Sequence, residues 1–250
     1  FRYSFMIKAF IISFVISIPT SLLSCFLVLK GWALLGDAIS HAILPGIILA
    51  FIFNIPLLFG AFVSGLLCAV LTGYISNNCR VKPDTVMGVV FSGFFGIGMI
   101  LYFLVNTNIH LDHILFGNLL GIENHEMRSV IPLSILVSSI IIIKWKDYLL
   151  YSFDLVQAKA SGLKVNILHY VLLSIISVTV VITLSATGLI LAVGLIIAPG
   201  AIAFLLTRQF SNMLIISVLI CVFSMFFGTY LSFFIDSAPA PTIILSLIHI

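Results

Sequence analysis

Apolar runs of about 20 residues recur along this chain with only short polar links between them, and a run of that length crosses the hydrocarbon core of a bilayer as a helix. Backbone N–H and C=O groups find no water there, so each run must satisfy them internally, which a helix does and an open sheet does not. The chain therefore reads as all-α, a polytopic transmembrane helical bundle. Spans are expected at about 6–29, 32–53, 57–76, 85–105, 129–145, 168–185, 188–206 and 213–235, followed by a ninth apolar run, 242–250, that reads as truncated. No repeat of 20 to 50 residues divides residues 1–250, which form one membrane domain. Only 8% of residues are charged, against about 25% in ordinary soluble domains. The net charge of +3 is scattered among links with no Lys/Arg stripe, which argues against nucleic acid as a partner and leaves lipid as the surroundings. Phe1 is not an initiator methionine and the first run is too long for a signal-peptide core, so the chain reads as part of a longer one. Cys25, Cys68, Cys79 and Cys221 are dispersed without a CxxC pair and read as small buried hydrophobes.

The links alternate in charge. Lys30, then Arg80 and Lys82, then Lys144 to Lys164, then Arg208 mark every second link, whereas those at Asn54, at 185–187 and at Asp236 carry no cation. By the positive-inside rule the basic set is cytoplasmic, which places the polar segment of about 106–128 and the N-terminus outside. Pro19 is expected to break the first span, and Gly194 with Pro199-Gly200 to interrupt the seventh. Asp84 is the expected N-cap of the fourth. Residues of about 154–162 are expected to form a short polar helix outside the membrane, with Asp154 as N-cap and Gly162 just past its end. Such a helix offers little to lipid and reads as a dock for another protein.

Two ionisable residues, Asp37 and His41, stand inside the second span. A charge at mid-membrane costs about 2.5–3.5 kcal/mol on insertion scales, so something must offset it. Their spacing of four stacks both side chains on one helical face, where a carboxylate oxygen and an imidazole nitrogen make half of a cation site. A hydrogen bond to a neighbouring helix is the alternative. Two ligands are too few for selective capture, and a two-fold dimer would supply a second pair. Mixed oxygen and nitrogen donors suit manganese, iron or zinc. Ser40 is placed to bond the site, and Pro45-Gly46 one turn on can loosen the helix. His110, Asp112 and His113 form a second cluster on the outer side, either a metal hand-over point or a solvated loop. Glu123, His125 and Glu126 carry a weaker signal of the same kind, and His169 and His249 read as interfacial. No Walker-type loop is present, so the chain does not itself bind ATP, and the lack of HExxH and GxSxG argues against an intramembrane hydrolase.

Four blocks carry a resemblance: 31–46 (GWALLGDAISHAILPG), 110–118 (HLDHILFGN), 198–207 (APGAIAFLLT) and 230–239 (YLSFFIDSAP). In this order they resemble the membrane subunits of bacterial ABC-type manganese, iron and zinc importers, the manganese/iron group above all. The resemblance implies a homodimer in the bacterial cytoplasmic (inner) membrane, two cytoplasmic ATP-binding subunits and an extracytoplasmic metal-binding protein. It also implies that Asp37 and His41 coordinate the passing ion, and that Asp154 to Gly162, with Ala158 at its middle, is the coupling helix. The chain lacks the family's usual extreme N-terminus and last span. The expected function is the permease of an ATP-driven importer of divalent transition metals, manganese first, with ATP hydrolysis on a separate chain and no permanently bound cofactor. Pro45, Gly46, Pro199 and Gly200 are the expected hinges. A proton-coupled secondary metal transporter, with Asp37 as proton relay, is the alternative.

Overall fold

The long apolar runs close into helices. The computed structural model describes residues 4–105, 119–122 and 124–249. Among these the helices are α1 (Ser4–Lys30), α2 (Ala33–Ile52), α3 (Leu57–Asn78), α4 (Pro83–Val105), α5 (Asn124–Phe153), α6 (Leu155–Ala160), α7 (Val165–Thr187), α8 (Leu189–Leu206), α9 (Phe210–Ile235) and α10 (Pro239–His249), with one 3₁₀ turn at Leu119–Gly121. Eight of the described helices are long and apolar enough to cross a membrane, all but α6 and α10. At 11 residues α10 is shorter than a crossing. Corners are tight where the backbone turns left-handed: Asn54 (φ 53°) before α3, and Gly188 (φ +79°), which alone ends α7 and starts α8.

The helices form two groups that share α7. In one, α2 packs against α3 and α4; in the other, α1 packs against α5, α8 and α9, with α10 on α8 and α9; α7 touches α1, α2, α3, α5 and α8. Lipid tails are as apolar as leucine, so such contacts rest on close packing by small residues. At the α2–α3 crossing a Cβ on Gly46 would run into the Gly60 carbonyl, and one on Gly60 into the Gly46 carbonyl. Five hydroxyl residues of α1, Ser13, Ser17, Thr20, Ser21 and Ser24, are fully buried. Ser17, Thr20 and Ser21 donate to carbonyls of their own helix. Ser24 instead crosses to α8, donating to the Ile197 carbonyl (2.9 Å) and accepting the Gly200 N–H (2.8 Å).

Several expectations need correction. Pro19, Pro45 and Pro199 all lie inside unbroken helices, and Gly194 does not interrupt α8. A broken ladder in lipid leaves polar groups with no water, so the helices stay whole around the one bond each proline removes. The fifth span does not stop near Trp145 but runs to Phe153, because Tyr148 and Tyr151 are buried and nothing in between breaks the helix. Lys144 and Lys146 therefore stand on α5. Asp84 is not the N-cap: Pro83 opens α4, a place where its missing N–H costs nothing, and Asp84 stands in the first turn. Of the α4 glycines, Gly98 packs against Pro45, whereas Gly88, Gly93 and Gly96 face open space.

Candidate metal site

One face of α2 belongs to the core, where Leu35, Ile39 and Ile43 are at most 1% exposed. The opposite face carries Leu34, Asp37 and His41. His41 Nε2 and Asp37 Oδ1 are 3.5 Å apart, and their side chains keep 26% and 39% of their surface. That separation exceeds a good hydrogen bond, so neither group consumes the other's donor capacity. An ion about 2.1–2.2 Å from both atoms would see them at an angle of about 110°, open enough for tetrahedral coordination. One turn of helix sets this spacing.

Helix α4 walls one side of it. Phe91 and Phe95 lie 5.0 Å and 5.6 Å from the His41 ring, centroid to centroid, the second edge-on. These two rings fix the plane of the imidazole, and sequence reading missed them; the signal was their spacing of four on a span otherwise rich in glycine. Pro45, four residues after His41, has no N–H to give the His41 carbonyl, so that oxygen loses its helical partner beside the imidazole. Ser40 does not join the site: it is buried and its hydroxyl donates to the Gly36 carbonyl of its own helix (2.8 Å). Among the described residues no group of three or more His, Cys, Asp or Glu side chains could hold a metal, so one copy offers a two-donor half-site.

The other predicted residues fall elsewhere. His110, Asp112 and His113 lie outside the described residues, as does Glu123. Asp154 caps α6 through Oδ1, which accepts the N–H groups of Val156 (2.8 Å) and Gln157 (3.0 Å). Gly162, at φ +79°, ends it in a Schellman arrangement: its N–H bonds the Lys159 carbonyl, and that of Leu163 the Ala158 carbonyl. Ala158 is buried against the bundle, while Leu155 and Val156 are exposed, so α6 is a rigid knob anchored on one side and open on the other. Pro199 and Gly200 sit where Ser24 enters α8. His169 is not interfacial but 6% exposed, bonded through Nδ1 to the Tyr151 hydroxyl (2.7 Å). Cys25, Cys68 and Cys221 are buried free thiols as expected, and Cys79 is exposed.

Comparison with known proteins adds to this geometry. The model of the ABC 3 transport family matches residues 2–250. The chelated iron transport system membrane protein YfeD of Yersinia pestis is 49% identical over 245 residues, which are 98% of this chain and 82% of that protein. The manganese transport system membrane protein MntB of Synechocystis is 40% identical over 246 residues, 98% of this chain and 80% of that one. The solved structure of PsaBC from Streptococcus pneumoniae, in complex with a Fab, superposes with a TM-score of 0.88 at 33% identity, covering 99% of this chain and 90% of the other.

Proposed function

Because the chain belongs to the ABC 3 transport family, we propose that it is the multi-pass inner-membrane permease of a bacterial ATP-driven importer of divalent transition-metal ions. It works as a homodimer with cytoplasmic ATP-binding subunits and an extracytoplasmic metal-binding protein. Manganese is the first candidate and iron the next, the metals for which the relatives MntB and YfeD are named; zinc accepts the same donors.

The observation that carries this reading is the Asp37–His41 pair, held 3.5 Å apart on a face of α2 that its own subunit leaves partly open. A lone copy gives two donors. Two copies about an axis give two carboxylates and two imidazoles, enough to replace much of the water an entering dication loses. Gly88, Gly93 and Gly96, where an added Cβ would meet none of the described residues within 4 Å, leave room for a second copy along α4. The binding protein docks outside and releases the ion, which passes between protomers; His110, Asp112 and His113 take part in that hand-over. ATP-driven closure below reaches α6 through Asp154, Ala158 and Gly162 and shifts the spans about Pro45-Gly46 and Pro199-Gly200.

In vesicles holding the whole transporter, Asp37→Asn and His41→Ala should each abolish ATP-driven metal uptake while the protein still folds and assembles. Normal uptake by both variants overturns the site. Uptake that survives ATP depletion while a proton gradient is kept would instead favour the proton-coupled alternative.

A further inference from the structure

A second polar cluster occupies the corner where α1 turns into α2. The Lys30 ammonium lies 3.5 Å from the centroid of the Tyr151 ring and 4.5 Å from that of Trp32. The Tyr151 oxygen is 2.7 Å from His169 Nδ1, and the Trp32 and Tyr170 rings stand edge-on to the imidazole at 5.5 Å and 5.2 Å. On its far side, His169 Nε2 has no hydrogen-bond partner among the described residues, and the Thr72 hydroxyl meets only the weakly bonding Cys68 thiol, which leaves its oxygen free to accept. Both residues are more than nine-tenths buried. Both also border a cavity of about 20 Å³, shared with Leu35, Gly73, Ser76 and Met87. A Cβ on Gly73 would come within 2.8 Å of Nε2, so the glycine keeps this space clear.

The chemistry of the cluster selects the occupant. A cation over the Tyr151 ring draws electron density from the phenol, making its O–H a better donor and its oxygen a poorer acceptor. Tyr151 then donates to Nδ1, and the neutral imidazole carries its proton on Nε2. An N–H, rather than a lone pair, faces the cavity, and no carboxylate lines it, so a metal ion is disfavoured. Emptiness is disfavoured as well, since apolar voids stay dry whereas buried unpaired polar groups are met by water. The space fits about one water sphere, of ~10–15 Å³.

We infer that this cavity holds one ordered water, which accepts the His169 Nε2–H and donates to Thr72 Oγ1. The water joins α3 to α7, and through Tyr151 and Lys30 it joins both to α5 and to the base of α2. It thus ties the helix bearing Asp37 to the two helices that flank α6.

Two measurements on the full chain in nanodiscs test this without any transport assay. Nitrogen-15 spectra of His169 should show the neutral, Nε2-protonated tautomer, and a map that resolves waters should carry a peak at hydrogen-bonding distance from Nε2 and Thr72 Oγ1. Gly73→Ala should abolish the peak and lower the melting temperature. Should that variant fail to fold, Thr72→Val, nearly the same shape, should still lose or displace the peak. A ring protonated on Nδ1, an anomalous metal signal, an empty wild-type cavity, or an undisturbed peak in Thr72→Val overturns the assignment.

Discussion

Single side chains decide how this bundle tolerates the residues that ought to break it. Pro199 removes one N–H from the α8 ladder, and beside it a hydroxyl of α1 both gives and takes a hydrogen bond, at the Ile197 carbonyl and the Gly200 N–H. Ser24→Ala should leave the Gly200 N–H without that partner in a place without water, at a cost of about 1–2 kcal/mol. For a chain of this size the melting temperature should fall by about 2–8 °C. Ser139→Ala, which removes only an exposed bond to its own helix, should change it little; equal effects in a thermal melt would show that Ser24 is ordinary. This interplay was invisible in the sequence because Ser24 and Gly200 are 176 positions apart. His169 was misplaced for a related reason: its position near a helix end suggested an interface, while its burial is set by Tyr151 of α5, Trp32 of the α1–α2 corner and Gly73 of α3, which meet it from three sides. Asp37 and His41 were legible because one turn of helix is enough to align them.

Elements were legible where the cue is local. Span number and rough extent follow from run length, and α6 follows from a carboxylate and a glycine eight positions apart that cap its two ends. What the sequence could not state is that α5 continues unbroken until Asp154 halts it, so that α6 hangs directly from a 30-residue helix. A push on the knob is thereby delivered to the bundle without a slack link between. Asp154→Ala removes two capping bonds, worth about 0.5–2 kcal/mol to the helix, and Gly162→Leu forces a side chain into left-handed backbone. In the assembled transporter either change should uncouple ATP hydrolysis from uptake, with hydrolysis persisting while metal flux falls. Unchanged coupling in both would reduce α6 to a spacer.

At the scale of the molecule, one copy leaves its two donors and much of α4 uncovered, which is the arrangement expected of half an assembly. Leu34 lies on the Asp37 face and is 48% exposed. With the exposed Cys79 replaced by serine, Leu34→Cys should cross-link two permeases in membranes under mild oxidation or with a short bifunctional reagent. A purely monomeric product would break the shared-site proposal. The first helix has another role in the finished molecule that bears on how it is made. Ser24 and Ser217 join α1 to α8 and α9 across 173 and 196 positions of chain, a stretch that takes a ribosome roughly ten to forty seconds at 5–20 residues per second. Until then α1 waits in the membrane with its surface for α8 and α9 bare. That so many of its hydroxyls bond back to their own helix gives it a way to remain in lipid, unpartnered, for the length of that delay.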